Sequence, residues 1–264
     1  MKGQQKRRDA RMSLGDHLVE FRRRLFRSAT AVVVGSVAGW ILSDPILAAM
    51  RAPVAALAHQ QGRLAALNFD TISAAFDLRM QIAVTVGIVV SSPVWLYQVW
   101  AYFVPAFTRK ELKYALGFFL TALPLFFAGC AAGWFVVPHI VGLLTSFAPS
   151  GTSTLLQAGD YFSFILKLVI AVGVAFVLPV FVVLLNFVGM LSARTIVRSW
   201  RVALIVIVCF TAAVTPAADV FSMLLLAVPM EALYLSATGI ALIHDRSVAR
   251  AAQQLAREYA SEMD

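Results

Sequence analysis

The sequence predicts an all-α polytopic membrane protein with six transmembrane helices and both termini in the cytoplasm. Three observations carry that expectation. Of the 264 residues 60% are hydrophobic, with a mean hydropathy of +0.81, which leaves too little polar surface for a soluble domain. Apolar stretches long enough to cross a roughly 30 Å hydrocarbon core recur along the chain, and no large hydrophilic segment separates them. The lysines and arginines gather in alternate connections. A single membrane domain follows, with a basic cytoplasmic segment at 1–24, the six-helix domain at 25–243 and a cytoplasmic tail at 244–264.

The first apolar run, 25–42, follows basic residues as a secretory signal would. It has no A-x-A-like cleavage site where one would be expected, just beyond the apolar run, and apolar segments recur along the rest of the chain, so it is expected to remain as the first span. The loop 44–77 contains PILAAMRAPVAAL, apolar but interrupted by Pro45 and Pro53, which predicts a short helix lying along the membrane surface. Spans at 78–100 and 114–138 come next, then a second long loop, 139–160, that resembles the first and is centred on Pro149-Ser-Gly151. The fourth span is 161–188. A short fifth, 202–214, is joined to the sixth, 220–243, by the turn Thr215-Pro-Ala-Ala-Asp219, which predicts a tight hairpin. Pro93, Pro124, Pro179 and Pro229 each remove a helical hydrogen bond and favour a kink, so bent helices forming a concave wall are expected.

Orientation comes from the basic residues alone. Nine precede or begin the first span (Lys2, Lys6, Arg7, Arg8, Arg11, Arg22, Arg23, Arg24 and Arg27), and Arg109, Lys110 and Lys113, then Arg194, Arg198 and Arg201, then Arg246, Arg250 and Arg257 mark the same side. The other side has Arg51, Arg63 and Arg79. The positive-inside rule puts the richer side, and both ends, in the cytoplasm. It also accounts for the net charge of +8 through lipid phosphates, with no nucleic acid required.

Enzyme signatures are missing. No HExxH, GxSxG or paired intramembrane aspartate occurs, and His17, His59, His139 and His244 lie outside the spans or at their ends, so neither catalysis, a metal nor a cofactor is expected. Cys130 and Cys209 sit in apolar segments and read as small buried hydrophobes. Lys167, Asp219 and Glu231 are the acids and bases within or capping the last three spans. A secondary transporter of small solutes is the alternative these features leave, although no internal repeat relates the two halves.

The segment HLVEFRRRL, 17–25, sets Glu20 among three arginines. Helical spacing puts Leu14, Leu18, Phe21 and Leu25 on one stripe and Glu20 on the other side. The simplest reading is an exposed i to i+4 pair with Arg24, a contact of about 0.3–0.5 kcal/mol. An aromatic cluster, Trp95, Tyr97, Trp100, Tyr102, Phe103 and Phe107, reads as an interfacial belt.

HLVEFRRRL together with SSPVWLYQVWAYFVPAFTRKE, 91–111, resembles the TatC family, the signal-peptide receptor subunits of the twin-arginine protein translocase. DPILAAMRAP, GVAFVLPVFVVLL and VTPAADVFSMLLLAVPM extend the resemblance over nearly the whole chain. It implies that Glu20 and Glu111 recognise the paired arginines of a signal peptide, with Tyr102 beside them where the family commonly has phenylalanine. Two carboxylates suit that task, because each accepts the planar fork of a guanidinium in bidentate fashion. It further implies a plasma-membrane location, export of folded proteins, TatA-like and TatB-like single-span partners and a homo-oligomer within the translocase. Pro53 and Asp219 match family positions in the first and last outer loops and read as structural. Two departures stand out: Val177 where the family carries a polar residue before the proline of the fourth helix, and Leu235 where an acid is common. Glu231, one turn earlier, is left as the acid buried in the spans and is expected to meet a partner helix. Lys167 is expected to snorkel to the interface.

Overall fold

In hydrocarbon a backbone amide has no water to bond, so a chain this apolar must satisfy its N–H and C=O groups within each segment, and it does so as helix. The computed structural model describes residues 14–61, 66–68, 71–103, 111–146, 155–215 and 220–263. In order these form α1 (Leu14–Ile41), α2 (Ser43–Gln61), strand β1 (Ala66–Asn68), α3 (Ala74–Val90), α4 (Ser92–Phe103), α5 (Glu111–Ser146), strand β2 (Leu155–Gln157), α6 (Ala158–Phe187), α7 (Ala193–Arg198), α8 (Trp200–Val214) and α9 (Val220–Met263). By length and composition α5, α6 and α9 each suffice to cross a membrane. The bent pairs α1–α2 and α3–α4 meet that test only together, and α8 is a shorter apolar helix packed on α9.

Of the two sharp bends, the second differs from the expected course, whereas the first falls where the first span was expected to end. The stretch 78–100, expected as one span, is two helices meeting at 56° around Ser91, and α1 turns by 66° into α2 at Leu42. The same local chemistry makes both. Ser43 and Ser91, buried at the breaks, donate their hydroxyls to the carbonyl three residues back, Trp40 at 2.8 Å and Ile88 at 3.4 Å. A proline then stands in the first turn of the next helix, Pro45 in α2 and Pro93 in α4, where the missing N–H had no intrahelical partner to lose. At the second bend the indole N–H of Trp95 also donates to the Ile88 carbonyl, at 2.9 Å, so the group freed by the break stays satisfied. Elsewhere the helices run on through Pro124, Pro138, Pro179 and Pro229. The third span therefore continues past its expected end at 138 to Ser146.

The first long loop holds the expected helix, α2. Of the second, the described residues are the last turns of α5, strand β2 and the first turn of α6, and its centre at Pro149-Ser-Gly151 lies outside the described residues. The two loops are tied together, because β1 and β2 pair in parallel with Ala66 opposite Leu155 and Asn68 opposite Gln157. Three residues are too few for an alternating pattern to announce a strand.

Small residues let the helices approach closely. A Cβ on Gly35 would fall 2.8 Å from the Gly87 carbonyl oxygen, and one on Gly129 would fall 2.8 Å from that of Val172, so glycine is required where α1 meets α3 and α5 meets α6. Gly39 and Gly133 repeat those contacts one turn on, against Ala83 and Val169. Around these seams lie two apolar clusters. One joins α2, α3, α5, α6 and α9 about Ile82, Ile140, Phe162 and Leu226; the other joins α4, α5 and α6 about Leu96, Phe126 and Val177. Cys130 is buried in the second cluster, facing Gly173. Cys209 is exposed, contrary to expectation, because α8 packs on one side only.

Candidate functional site

The site forms where α1 lies against α4. The polar side of α1 faces the protein and the apolar stripe faces away: Leu18, Phe21 and Leu25 are 68, 49 and 55% exposed, whereas the side chains of Glu20 and Arg24 are only 19 and 20% exposed. The expected solvent-exposed pair is thus a covered one. Nε and Nη2 of Arg24 both donate to Oε1 of Glu20, at 2.9 and 2.5 Å, and Nη1 donates to Oε1 of Gln98 on α4 at 3.4 Å. Oε2 of Glu20 is buried and has no hydrogen-bond partner. A turn away, the His17 ring stacks on Tyr102 with centroids 4.4 Å apart, and Phe21 meets Tyr102 edge-on at 5.8 Å. The bend at Ser91 makes this possible by swinging α4, and with it Gln98 and Tyr102, onto α1.

Glu20 and Tyr102 are therefore brought onto one α1–α4 seam. Glu111 is the first residue of α5 and Pro53 lies within α2, but their side chains, like Asp219 as a whole, fall outside the described residues. Gln98 and His17 were missed by sequence reasoning, since a contact across 74 or 85 positions leaves no local pattern. The aromatic belt is divided. Trp95 turns inward, edge-on to Phe126 at 5.3 Å, Tyr102 packs on α1, and Tyr97 remains exposed.

The remaining intramembrane ionisable groups lie apart from this seam. Lys167 is exposed on α6 in a groove beside α3. Glu231, on α9, is partly covered, with Oε2 buried and unpartnered, while Leu235 is 57% exposed. Val177 is fully packed, which explains how an apolar residue is accommodated there. Among the described residues no group of His, Cys, Asp or Glu could hold a metal ion.

A second polar knot, unforeseen in the sequence, secures the turn after α6. Gly189 takes a left-handed conformation, φ 78°, and the chain doubles back into α7, capped by Ser192 accepting from the Thr195 N–H at 3.2 Å. Asp245 of α9 closes it, accepting from the Ala193 N–H at 2.7 Å and the Asn186 amide at 2.9 Å. Burial opposes the Asp245 charge, yet these two bonds and the neighbouring His244 outweigh it and hold the carboxyl below its ordinary value.

Fold and site together define a polytopic α-helical membrane protein with a covered acid on a bent-helix seam. The family described as Sec-independent protein translocase protein (TatC) matches residues 16–229. TatC of Xylanimonas cellulosilytica is 42% identical over 92% of this chain and 88% of its own length, and TatC of Rothia mucilaginosa is 35% identical over 94 and 85%. A crystal structure titled twin arginine translocase receptor TatC superposes with a TM-score of 0.69 at 26% identity, covering 86% of this chain and 98% of that one. The chain belongs to the TatC family. It is a component of a protein translocase in a membrane rather than an enzyme, and the alternative of a small-solute transporter is not favoured.

Proposed function

We propose that this protein is the receptor subunit of a twin-arginine translocase, reading paired arginines of signal peptides at the cytoplasmic face of the plasma membrane. Six spans, both termini inside, self-association and TatA-like and TatB-like single-span partners belong to the same reading. The observation that carries it is the state of Glu20. Its Oε1 is taken by a guanidinium of the chain's own, and its Oε2 is an acceptor with none. A carboxylate already shaped to an arginine fork is suited to receive another, either at Oε2 or by exchange with Arg24. A similar solved structure is titled a twin arginine translocase receptor, which supports the assignment of ligand. Glu111, at the start of α5, supplies the second acid in this reading, and Tyr102 shapes the pocket wall.

Binding of a synthetic twin-arginine signal peptide, with its twin-lysine counterpart, tests the assignment. Glu20→Ala and Glu111→Ala should each weaken arginine-peptide binding by about 1.5–3 kcal/mol, the range for a hydrogen bond to a charged group. Unchanged affinity in both variants and in the double variant removes the reading. For Glu231 the proposed role is a polar contact with a partner's transmembrane helix, an outlet for its unpartnered Oε2. Pro53 and Asp219 are assigned structural roles in the outer loops.

A further inference from the structure

Between α3 and α6 runs a groove of about 320 Å³ that neither seam described above uses. Gln81, Ser163 and Lys167 line it, with Val84, Leu166 and Ile170 as its apolar floor. The polar groups do not balance. Ser163 donates its hydroxyl to Oε1 of Gln81 at 2.5 Å, which turns the amide oxygen to Ser163 and leaves the Gln81 amide nitrogen with two hydrogens to give. Lys167 carries three more and is exposed, and among the described residues it makes no hydrogen bond or ion pair. No carboxylate lines the groove. A cation and an amide thus stand with surplus donors beside an apolar trough along α6, a helix long and apolar enough to cross a membrane, where unpaired donors are costly.

The level of the site narrows the ligand. Two residues before Gln81, Arg79 pairs with Asp44 of α2 in an exposed ion pair, so Gln81 lies only about 3 Å along the helix axis from a level that is already polar. Lys167 can extend its ammonium toward that level while its stem covers apolar surface. A ligand that fits must offer anionic oxygen near the membrane surface and hydrocarbon below it. A phospholipid does both.

We propose that this groove is a binding site for one anionic phospholipid, its phosphodiester accepting from Lys167 and the Gln81 amide and an acyl chain lying along Val84, Leu166 and Ile170. The site is independent of the receptor reading.

Native mass spectrometry of the purified protein, after exposure to equal amounts of phosphatidylglycerol and phosphatidylcholine of matched chains, tests it. The protein should retain phosphatidylglycerol preferentially. Lys167→Gln should lower that retention about fivefold, the factor equivalent to the ~1 kcal/mol typical of one basic side chain beside anionic lipid. Lys167→Arg should keep it, and Gln81→Leu, which leaves the charge alone, should reduce it. Thermal melting of each variant checks that it is folded. Equal retention of the two lipids, or unchanged phosphatidylglycerol retention in both Lys167→Gln and Gln81→Leu, overturns the proposal. So does a cross-link from Val84→Cys to another protein chain that persists in excess phosphatidylglycerol, because the groove would then seat a partner helix.

Discussion

Arg24 grips Glu20 through one oxygen and leaves the other buried and unbonded. An exposed pair at this spacing couples by about 0.3–0.5 kcal/mol. Here both side chains are largely covered and Gln98 holds the far nitrogen of the guanidinium, so a double-mutant cycle of Glu20→Gln and Arg24→Gln, read by unfolding in detergent, should give a coupling above about 1 kcal/mol. A value in the exposed-pair range would show the seam to be solvated.

The glycines of the α5–α6 seam make a paired prediction. Gly129→Ala forces a methyl to within 2.9 Å of the Gly173 Cα as well as onto the Val172 carbonyl, both backbone groups that cannot step aside, so a loss of about 1–3 kcal/mol or more is expected. Gly239, also helical, has nothing within 4 Å of the same position. Gly239→Ala should raise stability by about 0.4–1 kcal/mol. Similar melting shifts for the two would contradict the close approach.

The Asp245 knot predicts a direction with pH. Its folded carboxyl titrates below the ordinary 3.8, so the charged form is favoured by folding, and the contribution is present in full above that value. Stability should be flat from pH 7 to 5 on this account and decline as pH falls through the lowered value. Asp245→Asn should remove that part of the acid dependence and loosen the turn at Gly189, detected as faster hydrogen exchange at Ala193. An unchanged acid profile would mean that other carboxylates carry it.

Orientation is tested by labelling. In a variant lacking Cys130 and Cys209, single cysteines replacing Arg63 and Ser150 should react with a membrane-impermeant thiol reagent outside intact cells, and those replacing Lys110, Ser192 and Ser247 should not. Reaction of the second group would invert the proposed topology.

What the sequence could and could not announce follows from the range of each interaction. Apolar length is a local property, so the membrane class and the positions of α5, α6 and α9 were legible. The split at Ser91 was not, because Pro93 read as a kink within a span, whereas the buried Ser91 hydroxyl and the Trp95 indole turn it into a corner. The i to i+4 spacing did reveal the Glu20–Arg24 pair. Its burial was misjudged for a physical reason: a stripe of Leu18, Phe21 and Leu25 would face the core in a soluble protein, but here it faces outward and the polar side packs on α4. The spacings Gly35 to Gly39 and Gly129 to Gly133 were a readable sign of close helix contact that went unused. Gln98 and His17 had no such sign.

The length of α9 has a consequence for how its end is made. Its 44 residues extend about 66 Å, roughly twice the hydrocarbon thickness, and residues 246–261 are exposed on every side. The exposed stretch by itself is close to the length, about 12–15 residues, below which an isolated helix is marginal in water, because starting the first turn is the unfavourable step, while each added residue is close to neutral or better. The packed turns through Ala227, Tyr234 and Ala241 supply that start, and the alanine-rich remainder grows from it. Helical order in the tail is therefore largely inherited: the same residues released as a peptide should show a weaker helical circular dichroism signal than they do in the chain, though nothing in their own sequence has changed.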